Sequence, residues 1–175
     1  MQPICSRSRI ALSIALFLTL PFAAQSQTQS ANRGIADLQW LSGHWSCDGK
    51  FTRSGKSISA DLSFESALGD KWMLFRHDDR PPFSYHALSE WGWDEKGQRY
   101  VSTVQDSTGG IRLFYSRGFS GPKLVWEGKT LESPAARAER FEFARDGPNT
   151  FTVKYSFQQE GRWQDVDSST CVRKP

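Results

Sequence analysis

Hydrophobic and polar residues alternate along most of the chain, and this period of two predicts β-strands. The clearest case is the segment 57–68, whose apolar face carries Ile58, Ala60, Leu62, Phe64 and Leu68 with polar residues between them. Alternation of this kind is typical of a strand with one buried face. The segment 35–41 instead spaces Ile35, Leu38 and Leu41 as a short helical turn would.

Turn signals rich in Gly, Pro and Asp recur about every eight to twelve residues, the spacing typical of an antiparallel sandwich or barrel. They divide the rest of the chain into ten predicted strands, at about 44–53, 57–68, 71–78, 84–93, 99–106, 111–117, 123–130, 139–146, 150–159 and 162–173. The longer gap at 132–140 leaves open a helical turn or a flexible loop. The sequence therefore predicts an all-β domain over 35–175.

The N-terminus has the pattern of an export signal. Arg7 and Arg9 precede an apolar stretch at 10–24 and then a run rich in Gln and Ser, which is the order of a secretory signal peptide. We predict a signal peptide at 1–26, a disordered linker at 27–34 and a periplasmic or secreted protein; an uncleaved membrane anchor is the alternative. No stable membrane insertion is expected after cleavage.

Charge does not indicate a nucleic-acid partner. The whole chain has a formal charge of +3, and loss of residues 1–26, which hold two arginines and no acid, lowers it to +1. No run of Lys and Arg exceeds two residues, so neither a nucleic-acid patch nor a polybasic membrane surface is predicted. The oligomeric state stays open.

Two cysteines remain after the signal peptide, Cys47 in the first predicted strand and Cys171 in the last. An even pair in an exported protein predicts one disulfide, although two buried free thiols remain the alternative. A disulfide requires the two Cα atoms to lie within about 7 Å. Ten up-and-down strands satisfy this naturally when the sheet closes, which also removes the exposed edges. We therefore predict a closed antiparallel barrel, large enough to hold one ligand.

A family resemblance supports this architecture. Gly43-His44-Trp45, at the start of the first strand, resembles the calycin group, which includes lipocalins, fatty-acid-binding proteins and nitrobindins. Residues 91–110 are similar to a bacterial exported family of unknown function, numbered 1579, and match it at Gly92, Trp93, Asp94, Tyr100, Val101, Thr103, Asp106, Ser107, Gly109 and Gly110. This resemblance covers about 38–128, implies a calycin-like barrel and assigns no chemistry.

Nitrobindin-like barrels bind haem through a histidine near the end of the chain. The histidines here are His44, His77 and His86, so the matching position is vacant. We predict no haem and no other cofactor.

His77 and His86 are the candidate chemical groups. A hairpin centred on Pro81-Pro82 would place them directly opposite each other, about 5 Å apart at Cβ. Two histidines do not complete a metal site, which needs a third ligand from Asp78, Asp79 or Glu90, and the alternative is a solvated hairpin tip with no function. No metal site is predicted.

The predicted ligand-binding residues are Arg76, His77, His86, Trp91, Tyr100 and Arg112. An inward-facing basic residue would anchor a carboxylate or phosphate head group, the candidates being Arg76, Arg112, Arg117 and Lys154, whereas strand-borne basic residues usually face water. Strand carboxylates are predicted to face outward, at Asp61, Glu65, Glu90, Glu142, Asp165 and Asp167.

Three functions compete. The sequence holds no serine elbow, His-Glu-x-x-His, Cys-x-x-Cys or phosphate loop, so no catalytic residue is predicted. The leading hypothesis is a barrel that binds a small apolar or amphipathic molecule. The alternatives are an enzyme that uses His77 or His86 as base, and a ligand-free interaction or structural domain.

Overall fold

The computed structural model describes residues 34–130 and 137–175. The predicted signal peptide, residues 27–33 of the predicted linker, and residues 131–136 lie outside these ranges. No helix in the described residues has the length and apolar character needed to cross a membrane. A 3-10 helix, Ile35–Leu41, precedes eleven strands: β1 (Gly43–Phe51), β2 (Ser57–Ala67), β3 (Trp72–Asp79), β4 (His86–Asp94), β5 (Arg99–Asp106), β6 (Ile111–Ser116), β7 (Phe119–Ser120), β8 (Lys123–Thr130), β9 (Ala138–Arg145), β10 (Thr150–Gln159) and β11 (Arg162–Arg173).

Ten of these strands form a closed ring. Neighbours in the chain pair antiparallel from β1 to β6 and from β8 to β11, while β1 pairs with β11 and β6 with β8. The two-residue β7 pairs with β8 beside this ring. The predicted closed, up-and-down antiparallel barrel of about ten strands is confirmed.

The predicted strand limits agree with the structure to within two residues. The prediction missed β7 because two residues carry no measurable period. It was wrong at Leu68, which was placed on the apolar face of the second strand. Leu68 instead follows β2 in a turn, with a φ of 50° and 78% of its surface exposed.

The predicted disulfide is present. Cys47 of β1 lies directly opposite Cys171 of β11, with their Cα atoms 4.0 Å apart and their sulfur atoms bonded. The bond joins the first and last strands of the barrel across 124 residues of sequence.

The 3-10 helix closes one end of the barrel. Its apolar residues Leu38 and Leu41 are fully buried, and the Leu41 carbonyl accepts a hydrogen bond of 2.7 Å from the Trp45 indole. The Trp45 ring meets the Phe151 ring edge to face at 4.7 Å, and the Arg173 guanidinium lies over it at 4.2 Å. The tryptophan of the Gly-His-Trp triplet therefore anchors the helix to the core of this capped end.

The seam between β6 and β8 depends on a glycine. Four residue pairs join these strands, among them Phe114 opposite Gly128. A Cβ atom on Gly128 would lie only 2.0 Å from the Leu113 carbonyl oxygen. Close approach of the two backbones at the seam therefore requires a residue without a side chain.

Candidate functional site

A cavity of about 690 Å³ occupies the half of the barrel away from the 3-10 helix. Its lining includes residues at or just beyond the ends of β1, β3 and β5 and in the loop that precedes β4, namely Phe51, Asp79, Ser107 and Tyr85. Most of its wall is apolar, formed by inward-facing side chains of many strands, including Phe51, Ile58, Leu62, Phe75, Val104 and Phe141. Strand alternation explains this wall, because every second residue of each strand points into the barrel.

Two tryptophans line the inner part of the cavity. The Trp91 and Trp126 rings lie 4.8 Å apart. The Trp91 indole donates to the Ser89 hydroxyl at 2.9 Å, and Ser89 is hydrogen-bonded to Ser102 across the β4–β5 pair. The Trp126 residue is 2% exposed, and its indole nitrogen has no hydrogen-bond partner among the described residues.

One side of the cavity holds a neutralised arginine. Arg112 of β6 is bound to Asp106 at 2.9 Å and to Glu139 at 3.4 Å, and its side chain is 13% exposed. It also donates to the Tyr85 hydroxyl oxygen. The Tyr155 hydroxyl is hydrogen-bonded to the same Glu139 carboxylate. Two carboxylates thus outweigh the one guanidinium in this cluster.

The pKa shifts in this cluster stabilise the charged forms of Arg112 and Asp106. Burial raises the pKa of Asp106, but hydrogen bonds from Thr108 and Gly110 and the charge of Arg112 outweigh it, so the pKa lies below its ordinary value. Burial lowers the pKa of Arg112, and the surrounding Tyr85, Glu139 and Asp106 raise it by more. Arg112 therefore remains a cation and Asp106 an anion.

A second polar group lies on another part of the wall. His77 and Asp79, two residues apart on β3, both point inward, and His77 Nε2 lies 2.7 Å from Asp79 Oδ1. The Asp79 side chain is 7% exposed. Asp167 of β11 interacts electrostatically with both. We call these three residues the acidic wall.

The pKa of the Asp167 carboxyl group is raised above its ordinary value. Burial raises its pKa to about 6, His77 opposes this shift, and the negative charge of Asp79 adds to it. No hydrogen bond to its carboxyl group is found among the described residues. The acidic wall therefore combines an imidazole oriented by a carboxylate with a carboxyl group that titrates near neutral pH.

The prediction that Asp167 faces outward was wrong, because β11 contains a bulge. Tyr155 pairs with Asp167 but Ser156 pairs with Asp165, so Val166 is an extra residue in the ladder. One extra residue reverses the alternation of side chains beyond it. Asp165 is consequently exposed, whereas Asp167 lines the cavity.

His77 and His86 are not cross-strand partners, contrary to the prediction. The register pairs His77 with Ala87 and His86 with Asp78. The Asp79 amide also bonds to the Tyr85 carbonyl, which leaves a five-residue loop centred on Pro82 rather than between the two prolines. The one-residue shift places His77 inside the barrel and His86 outside, where it lies 2.8 Å from Asp78.

Of the six predicted ligand-binding residues, His77, Trp91 and Arg112 line the cavity. Arg76 is exposed on the outer face of β3, like His86 on β4. Tyr100 is fully buried beneath the 3-10 helix and donates to the Gly34 carbonyl at 2.9 Å. Of the other basic candidates, Arg117 is exposed and Lys154 lies near Asp165 on the outer face.

Four residues at or beside the cavity were not predicted as ligand-binding residues: Asp79, Tyr85, Tyr155 and Glu139. Asp79 could have been found, because it stands two positions after His77 and must share its face in a strand. Tyr85 lies in the loop before β4, where alternation gives no orientation. No group of three or more His, Cys, Asp or Glu residues suited to a metal ion occurs in 34–130 and 137–175.

Comparisons with known proteins support the fold and do not show a family. No family model matches the chain, so membership of the family numbered 1579 is not confirmed, and no curated protein matches either. The crystal structure of Rv2717c from M. tuberculosis is similar, with a TM-score of 0.63 and 13% identity over 81% of this chain and 97% of that chain. The expected calycin-like barrel is supported by this similarity.

Two solved β-barrels bound to DFHBI are more distant. One, EF1p2_mFAP2b, has a TM-score of 0.37 and 12% identity over 80% of this chain and 98% of its own. The other, the redesigned barrel mFAP1, has a TM-score of 0.36 and 14% identity over 77% and 96%.

Proposed function

We propose that this barrel binds a small apolar or amphipathic molecule in its interior, in the periplasm or outside the cell. The observation that carries the proposal is the cavity of about 690 Å³ inside a closed barrel. Ligand sites commonly have volumes of about 300 to 1,000 Å³ and mostly apolar walls. At about 30 Å³ per water molecule, this cavity offers the space of about twenty waters.

The two halves of the barrel support this proposal together. In the capped half, Trp45, Phe64 and Phe151 are each at most 1% exposed, and the Phe151 ring contacts the other two. The other half keeps a cavity although it also contains large side chains, among them Phe75 and Trp91. The ligand-free alternative requires a filled interior in both halves, so it is less well supported.

Binding can be tested with the uncharged dye Nile red. We expect its fluorescence to rise on binding and the emission of Trp91 and Trp126 to be quenched. Val104→Trp, which places a large side chain in the cavity, should weaken binding at least tenfold. Thr103→Trp, on the outer face of the same strand, should leave it unchanged. Equal binding by both variants, or no binding by the wild type, would contradict the proposal.

A second function, acid–base catalysis in the cavity, is favoured by one specific observation. The His77 imidazole faces the cavity and its Nε2 lies 2.7 Å from an Asp79 oxygen, and a carboxylate often orients a catalytic base in this way. His77→Gln should then abolish hydrolysis of an apolar nitrophenyl ester, whereas His86→Gln should not. No hydrolysis by the wild type above the buffer rate would remove the support for esterase chemistry.

A further inference from the structure

The cation that lines the cavity is poorly suited to an anionic ligand. Arg112 already contacts Asp106 at 2.9 Å and Glu139 at 3.4 Å, and its side chain is almost enclosed. An incoming carboxylate or phosphate would have to displace one of these acids or approach two negative charges. The anchoring role that the sequence suggested for an inward arginine is therefore disfavoured at this position.

The acidic wall has the opposite character. His77, Asp79 and Asp167 are the charged or titratable groups that interact with one another there, and Phe51 and Tyr155 flank Asp167 on the neighbouring strands. His77 satisfies one oxygen of Asp79. Asp167 has no hydrogen-bond donor among the described residues, so its carboxylate lacks a partner at the cavity surface.

The charge balance of the described cavity is negative. The cavity lining and its ion-pair partners include four acids, which are Asp79, Asp106, Glu139 and Asp167. Even if His77 is counted as a cation, only two positive groups, His77 and Arg112, oppose them. Within a low-dielectric cavity such an imbalance attracts a cation.

We propose that the ligand of this cavity is a primary or secondary amine. Its apolar body lies against aromatic residues of the lining such as Phe75 and Trp91, and its protonated nitrogen lies on Asp167 of the acidic wall. The inference rests on the proposed function and adds the charge of the head group. Ammonium nitrogen supplies the donors that Asp167 lacks, and its positive charge offsets the excess of acids.

Matched ligands test the head group. Octylamine, octanol and octanoate share one chain and differ in charge, and each can be titrated by displacement of Nile red at about pH 8, where Asp167 is ionised and the amine protonated. We expect octylamine to bind at least tenfold more tightly than octanol, and octanoate to bind most weakly. Equal or tighter binding of octanol or octanoate would overturn the amine proposal.

Variants locate the effect. Asp167→Asn should lower the affinity for octylamine to that for octanol and leave octanol binding unchanged, whereas Asp165→Asn, on the outer face of the same strand, should keep the preference. Octylamine affinity should also fall as the pH drops through about 6, because Asp167 gains a proton. An octylamine preference that survives Asp167→Asn, or that does not depend on pH, would contradict the proposal.

The outcomes separate the two proposals. Octanol binding that is lost in Val104→Trp, without preference for octylamine, would support the cavity as a binding site and refute the amine. Absence of binding by all three compounds and by Nile red would refute both.

Discussion

Replacement of Asp167 by Asn tests whether the ionised carboxylate of Asp167 destabilises the folded protein. The substitution keeps the shape of the side chain and removes its ability to ionise. Burial and the neighbouring Asp79 raise the pKa of Asp167 from 3.8 to about 6, against the opposing effect of His77. Each pKa unit corresponds to about 1.4 kcal/mol, so ionised Asp167 should destabilise the folded protein by about 2 to 3 kcal/mol.

The direction of the pH dependence follows from linkage. Below about pH 4 the carboxyl group is protonated in the folded and unfolded chains, and it adds no penalty. Between about pH 4 and 6 the unfolded chain ionises while the folded chain keeps the proton, so the free energy of unfolding falls as pH rises. Above about pH 6 both states are ionised and the full penalty is present.

Urea unfolding of the wild type and Asp167→Asn, measured across this range, provides the assay. The free energy of unfolding of the variant minus that of the wild type should rise by about 2 to 3 kcal/mol between about pH 4 and 7. A constant offset from the amide group does not affect this rise. Asp165→Asn serves as control and should show no comparable slope. A flat difference, or one that falls with pH, would refute the electrostatic account of Asp167.

Three further predictions concern the barrel itself. Reduction of the Cys47–Cys171 bond should lower the free energy of unfolding by about 4 to 5 kcal/mol and the Tm by about 10 to 20 °C in calorimetry; free thiols in the native, unreduced protein would contradict the disulfide. Gly128→Ala should destabilise the seam by more than about 3 kcal/mol, and Gly147→Ala, which meets no atom within 4 Å, should have little effect in the same denaturation assay. Arg112→Gln should cost about 3 to 5 kcal/mol because two buried carboxylates lose their cation, and Glu139→Gln in the same chain should restore part of this loss.

The strands and their closure could be predicted because they depend on local patterns and on one pair of cysteines. The alternation of apolar and polar residues predicted the strands, and glycine and proline predicted the turns. Cys47 and Cys171 indicated that the first and last strands are neighbours. The two-residue β7 is too short for alternation to detect. It lies beside the seam, where Phe119 and Ser120 pair with β8.

The site was harder to predict because it depends on how neighbouring strands are aligned and on which face of its strand each side chain lies. One residue more or less in the Arg80–Ser84 loop decides whether His77 faces His86 or Ala87. One extra residue at Val166 decides whether Asp167 faces water or the cavity. Neither the loop length nor the bulge can be recognised from the residue types present, because loops and bulges accept many residue types.

The bond between β1 and β11 has a consequence for chain connectivity. Since the first and last strands of the barrel are already adjacent and covalently joined, the order of strands around the ring has no structurally privileged beginning. A circular permutant opened at the turn around Gly147, with a linker from Pro175 to the 3-10 helix, would keep the same ring of strand pairings and the same cavity. The barrel is thus specified by which strands are neighbours and does not depend on which is synthesised first.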